Sequence, residues 1–184
     1  MKPAEQLSNG KEEPVVTING SDQLAGGDCP LWSGSEGDLP AGDVVIVASR
    51  YHATACDSMV AAAIDTLVGN GFTHRRLPIV RVPGAWELPL AVRAALARPE
   101  TIAAIAIGVV IRGETTHDEH INRAVSLELM RIGSDAGKPV GLGLLTCNTP
   151  EQVAARTGGE LGNKGDEAAA AAIEMIRLIA KLRP

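Results

Sequence analysis

From Val44 to Leu182, short apolar runs alternate with segments of helical period, and this alternation restricts the fold more than any other feature of the chain. Val44–Ser49 is an unbroken run of strand type. Thr54–Val68 then places Met59, Val60, Ala63, Ile64, Leu67 and Val68 at helical spacing, and Gly69–Gly71 ends it. The pattern predicts a second strand over Leu77–Val82 and a helix over Ala85–Ala97. A third strand over Ile102–Ile111 and a helix over His117–Ala136 follow, then a fourth strand over Val140–Thr146. Thr149-Pro150-Glu151-Gln152 offers a cap, a proline at the first helical position and a capping-box Gln for a short helix. Gly165 admits a last helix reaching about Leu182. Strands that are apolar throughout, separated by helices, predict an α/β fold with a parallel sheet covered on both faces.

In such sheets ligands bind outside the carboxyl ends of the strands. The third strand runs into Gly108-Val109-Val110-Ile111-Arg112-Gly113-Glu114-Thr115-Thr116-His117 at that edge. Thr116 and Glu119 have capping-box spacing, so the N–H groups of Thr115 and Thr116 are expected at a helix start, where an anion is favoured. His117 carries an imidazole that exchanges protons near neutral pH. Arg81-Val82-Pro83-Gly84-Ala85-Trp86-Glu87-Leu88-Pro89 forms a second strand-to-helix junction, and Gly162-Asn163-Lys164-Gly165 precedes the last helix. There is no GxGxxG after the first strand, and GNKG lacks the spacing of a P-loop.

Composition narrows the function classes. The aromatic residues are Trp32, Tyr51, Phe72 and Trp86, so the core must be built from Val, Ile, Leu and Ala. Tyr51 and Trp86 both fall just past predicted strand ends, where a planar ligand can stack. Residues 1–43 hold eight acids and two lysines, a net of −6 against −5 for the whole chain, so the remainder carries +1. No basic face suits nucleic acid, and no apolar run approaches the ~18 residues of a membrane span. Cys29, Cys56 and Cys147 lack C-x-x-C spacing and read as reduced thiols of a cytoplasmic protein, not as a metal site. Residues 1–43 read as a flexible acidic extension. Within it, the patch Val15-Val16-Thr17-Ile18 has the form of a strand that could join a neighbour's sheet, and Asn19-Gly20-Ser21 matches a glycosylation acceptor by chance. Residues 44–184 form the α/β domain.

The ordered set RVPGAWELP, GVVIRGETTH and GNKG resembles the lumazine synthases of riboflavin synthesis, and the resemblance runs from about Val44 to Leu182. It implies a flavodoxin-like three-layer α/β/α sandwich whose four-stranded parallel sheet has order 2-1-3-4. It also implies the condensation of a ribitylamino-pyrimidinedione with 3,4-dihydroxy-2-butanone 4-phosphate, without metal or organic cofactor. By the same resemblance Tyr51 stacks on the pyrimidine, Ala85, Trp86 and Glu87 surround the ribityl chain, and Val109, Val110 and Ile111 offer backbone groups to the pyrimidine edge. Glu114 and Thr115 contact the phosphate, Arg156 binds it from a neighbouring subunit, Lys164 touches substrate hydroxyls or phosphate, and His117 donates the proton. The first-turn position of Glu87 also suits a helix-dipole partner.

The implied assembly is a homopentamer with five sites, built in some relatives into a sixty-subunit shell, with riboflavin synthase as a candidate partner. This chain departs from the family at Tyr51-His52, where Phe-Asn or Trp-Asn is usual, and at Leu142, where an aromatic covers the neighbour's pyrimidine site. Asp118, Glu119 and His120 replace an aromatic, an acid and a Tyr, and a lysine usual near Glu160 is absent. These departures spare His117, Arg156 and Glu87, so an active enzyme is expected. The alternative is a non-catalytic flavin- or lumazine-binding paralogue or scaffold. An electron carrier of flavodoxin type is disfavoured, because Tyr51-His52-Ala53 stands where a hydroxyl-rich phosphate loop belongs.

Overall fold

The computed structural model describes residues 31–183. Cys29, the patch Val15–Ile18 and the acceptor at Asn19 lie outside them. Strands β1 (Asp43–Ser49), β2 (Ile79–Val82), β3 (Thr101–Ile111) and β4 (Val140–Cys147) form one sheet in the order β2-β1-β3-β4, and every pairing is parallel. Helices α1 (Ala53–Gly69), α2 (Leu88–Leu96), α3 (His117–Ala136), α4 (Pro150–Ala155) and α5 (Lys164–Leu182) complete the chain, with a small antiparallel pair, β5 (Thr157–Gly159) and β6 (Gly162–Asn163), before α5. The fold is the expected α/β sandwich with sheet order 2-1-3-4.

Alternation of side chains along the strands splits the core in two. On one face Val44, Ile46, Ala48, Ala103, Ile105, Ile107 and Val109 pack with Met59, Ala63 and Leu67 of α1 and Ala169, Ala172 and Ile173 of α5. On the other, Val45, Val47, Ala104 and Ala106 meet Leu88 and Val92 of α2 and Val125, Leu129 and Ile132 of α3. None of the four aromatics except Phe72 joins these clusters.

Three sequence expectations need correction. The second strand is shorter than Leu77–Val82 and is not buried on both faces: it begins at Ile79, and Ile79, Val80 and Arg81 are exposed. Pro78 has no N–H for the ladder, although its carbonyl accepts from Ile46 N–H at 3.0 Å. Over Ala85–Ala97, a 3₁₀ turn (Ala85–Glu87) comes first and α2 starts at Leu88 with Pro89 in its first turn, where the missing N–H costs nothing. The Thr116–Glu119 capping box does not form: Thr116 makes no side-chain cap bond, and Glu119 instead meets Arg123 one turn on, at 3.4 Å. The cap at Thr149 does form, accepting from Gln152 N–H at 3.4 Å, while the Gln152 carboxamide oxygen accepts from Asn148 N–H at 2.8 Å.

Residues just before β1 are held against α5. Lys181 Nζ donates to the carbonyls of Ser33 and Glu36, each at 2.7 Å, and Gly34 lies so close to α5 that a Cβ would overlap the Glu174 carbonyl.

Close packing of α5 on α1 depends on Gly165, because a Cβ there would run into the Met59 carbonyl. Gly165→Ala should therefore lower stability by about 1–3 kcal/mol in denaturant unfolding. Gly69→Ala, where no group beyond the chain neighbours and the helix's own backbone lies within 4 Å of the added carbon, should leave stability unchanged or raise it slightly, since Ala favours the helix.

Cys56 is fully buried, and burial pushes its thiol from 9.0 up to about 11, with the Arg81 charge opposing. The folded state thus keeps a proton that the unfolded chain loses. Stability from this group is whole below pH 9 and declines as pH rises towards about 11. Cys56→Ala should flatten that part of the stability-against-pH curve, and a variant with the same alkaline slope would remove this cause.

Candidate functional site

Because the strands are parallel, their carboxyl ends share one edge, and the loops beyond them lie in the order β2, β1, β3, β4 along it. The loop after β1 carries Tyr51. Ser49, fully buried at the end of the strand, accepts the Tyr51 N–H on its hydroxyl at 3.0 Å. The Tyr51 carbonyl accepts from the Cys56 thiol at 3.4 Å, and Arg50 N–H extends the sheet to the Val82 carbonyl at 2.8 Å. His52 then turns the chain into α1 with φ at +56°, the only positive φ outside glycine among the described residues. This left-handed conformation is uncommon for a side-chain-bearing residue. With its backbone so fixed, Tyr51 stands 67 % exposed, and its ring meets the His52 ring edge to face with centroids 4.8 Å apart.

The loop after β2 carries Ala85, Trp86 and Glu87 as the 3₁₀ turn. Glu87 reaches back so that its Oε2 accepts the Gly84 N–H at 2.9 Å. This is one half of a capping box, since glycine has no side chain to return the bond. The helix-start role for this carboxylate is thus real in the folded chain, and it engages one oxygen. Ala85 is buried beside Gly108 of β3, so the turn packs onto β3 and α3. Trp86 projects outward, 61 % exposed.

Along β3, Val109 is buried while Val110 and Ile111 are half-buried. They pair in register with Leu145, Thr146 and Cys147, and the Arg112 N–H carries the ladder one step further to the Cys147 carbonyl at 2.8 Å. Glu114, Thr115 and Thr116 follow as an exposed bend, and His117 opens α3, exposed at its N-terminus. Asp118 and Glu119 share that first turn.

Arg156 ends α4 on the surface. Burial raises the Cys147 thiol, and the Arg156 guanidinium opposes the shift. The Arg156 carbonyl accepts the Lys164 N–H at 2.9 Å. Lys164 begins α5, and its ammonium pairs with Glu167 at 2.6 Å, so within the single chain that charge is already occupied. Leu142 stands apart from the loops: it lies within β4 opposite Ala106 and is 44 % exposed.

Residues to which the sequence assigns no site role hold these groups in place. Asn163 accepts the Gly165 N–H at 2.9 Å, capping α5, and its amide donates to Ser58 at 3.4 Å. Ser58 in turn donates to the Thr157 carbonyl at 2.6 Å, tying the GNKG segment to α1. Arg81 Nη1 pairs with Asp57 at 2.6 Å and its Nη2 donates to the Ser49 carbonyl at 3.2 Å. Arg81 belongs to the RVPGAWELP motif, but nothing in sequence links it to Asp57 or Ser49.

The same chain is similar to known proteins over nearly all of these elements. Residues 42–180 match the family described as 6,7-dimethyl-8-ribityllumazine synthase. A 6,7-dimethyl-8-ribityllumazine synthase of Rhodopirellula baltica is 55 % identical over 154 residues, covering 84 % of this chain and 99 % of that protein. One from Stenotrophomonas maltophilia is 43 % identical over 150 residues, covering 80 % and 97 %, and one from Gemmatimonas aurantiaca is 43 % identical over 141 residues, covering 77 % and 86 %. The chain belongs to the 6,7-dimethyl-8-ribityllumazine synthase family.

Proposed function

We propose that this protein condenses 5-amino-6-(D-ribitylamino)uracil with 3,4-dihydroxy-2-butanone 4-phosphate to 6,7-dimethyl-8-ribityllumazine, releasing phosphate and water in the penultimate step of riboflavin synthesis. The observation that carries the reading is that the three family motifs lie in the segments that follow β2, β3 and β4 of one parallel sheet. The reaction joins two reactive small molecules: an amine attacks a ketone, water leaves as the imine forms, phosphate is eliminated, and the ring closes. Holding the partners in line is most of the task, and proton transfer adds a smaller factor.

In this reading Tyr51 stacks on the pyrimidine from above the sheet edge. Ala85 and Trp86 wall the ribityl chain, and Glu87 accepts from its hydroxyls through the oxygen not engaged by Gly84. Backbone groups of Val109, Val110 and Ile111 meet the pyrimidine edge. Glu114 and Thr115 present N–H groups to the phosphate at the start of α3, where the dipole favours an anion, and the Glu114 carboxylate points away. His117 carries the proton. Arg156 supplies paired donors to the phosphate in a neighbour's site, with Leu142 covering the neighbour's pyrimidine and Lys164 at the rim.

A shared site requires an oligomer, and the proposed state is a homopentamer. Leu90, Leu127, Met130 and Leu142 are exposed on the α2/α3 side of the sheet, which supports a covered interface. A sixty-subunit shell and riboflavin synthase as partner belong to the same proposal at a higher level of assembly. Among the described residues no helix is long and apolar enough to cross a membrane, and the free thiols of Cys56 and Cys147 support the cytoplasm as the compartment. Residues 44–184 carry the chemistry, with residues 1–43 as an acidic extension.

Purified protein given both substrates should form the fluorescent lumazine, and His117→Ala should lower kcat about 10²–10⁴-fold. Tight riboflavin binding without product would instead identify a non-catalytic paralogue. Arg156→Ala should raise KM for the butanone phosphate about tenfold or more, and mixed oligomers refolded from His117→Ala and Arg156→Ala chains should regain activity at a mass five times 19.1 kDa or a multiple of it. Mixtures as inactive as their parents would place both residues in one subunit's site.

A further inference from the structure

We propose that Arg81 and Asp57 form a positioning clamp that fixes the Tyr51 loop relative to the Ala85–Glu87 turn, and so sets affinity for the pyrimidine substrate without touching it. The proposal deepens the reading above and rests on Tyr51 as the stacking residue. Arg81 is the third residue of β2, just ahead of the Pro83–Glu87 loop, and is paired in the sheet with Ala48. Its guanidinium reaches across β1 in two directions. Nη1 binds Asp57 on the first turns of α1 at 2.6 Å, and Nη2 donates to the Ser49 carbonyl at 3.2 Å. A planar fork can serve a carboxylate and a carbonyl together, which a lysine cannot do with fixed geometry.

These contacts straddle the one non-glycine residue with positive φ among those described, His52. A segment in a sparsely populated conformation persists when its surroundings over-determine it. Here Ser49 O, Arg50 N–H, Tyr51 N–H and Tyr51 O all have partners, and Asp57 holds the helix that follows. The clamp is the only one of these contacts that joins the β1 loop to β2 through side-chain charges. Side-chain exposures of 31 % for Arg81 and 60 % for Asp57 mean that the pair adds little to global stability. Its effect should therefore fall on local geometry.

The test separates these. Tyr51 is the only tyrosine of the chain, so 3-fluorotyrosine labelling gives a single ¹⁹F resonance that reports its ring. Arg81→Ala and Asp57→Ala should each raise KM for the ribitylamino-pyrimidinedione about fivefold, leave KM for the butanone phosphate unchanged, and shift or broaden the ¹⁹F line. The double variant should match Arg81→Ala, because once the guanidinium is gone Asp57 has no clamp contact left to lose, and Arg81→Lys should recover part of the effect. Asp57→Asn serves if an alanine variant does not fold. Equal rises in both KM values, additive single effects, or an unmoved ¹⁹F line would overturn the clamp. Tyr51→Leu keeps the two readings apart: a raised pyrimidinedione KM there with normal Arg81 variants refutes the clamp alone, whereas a normal KM in Tyr51→Leu refutes the stacking role and the clamp with it.

Discussion

Parallel pairing of four strands is the constraint on which the rest of this structure depends. It sends every strand-to-helix crossover to the same edge, so Tyr51, the Ala85–Glu87 turn and the Glu114–His117 bend become neighbours although 66 positions separate Tyr51 from His117. Burial of the central strands on both faces enforces the pairing, since β1 and β3 are almost wholly apolar and neither can face water. A slip of one residue would exchange the two core clusters, whose side chains differ in size and partners.

Small residues let the layers approach closely enough for this edge to be built. α5 carries a run of five alanines, and Gly141 of β4 leaves room for the Ala168 carbonyl, which a Cβ would overlap. The helix therefore sits low on the sheet, and its capped start, Asn163, can bond α1 through Ser58. The price of a core poor in aromatics is less apolar area per residue; the gain is a tight helical layer that begins at Lys164.

Much of this was legible because the signals are local. The period switches between strands and helices, and the glycines and prolines at the joints, mark the four strands of the main sheet and the five helices, and the ordered motifs mark the edge proposed to carry function. The misreadings also have local causes. Leu77 is apolar and buried, yet it precedes a proline and lies outside the ladder, so apolarity alone overextended β2. That β2 is an exposed edge depends on topology, which no property of Ile79 or Val80 announces. Thr116 and Glu119 have the spacing of a cap, but Arg123 lies one turn on and takes the carboxylate. Glu87, by contrast, does cap, on a glycine that cannot reciprocate. Arg81–Asp57 and Ser58–Asn163 join residues 24 and 105 positions apart, and no period or motif encodes such pairs.

Placement of the rings follows from the same economy. A chain with four aromatics that leaves Trp32, Tyr51 and Trp86 largely in water gives up burial that a Trp or Tyr side chain would otherwise contribute. Tyr51 and Trp86 are not on loose segments: Ser49, Cys56 and Arg81 fix the first loop, and the buried Ala85 and the Glu87–Gly84 bond fix the second. Backbone held this firmly beneath an exposed ring keeps the ordering cost out of the binding step, because the loops are already in place when a ligand arrives. In the proposed function the substrate covers the apolar faces that folding leaves open, so the area withheld from the core would become affinity at the site.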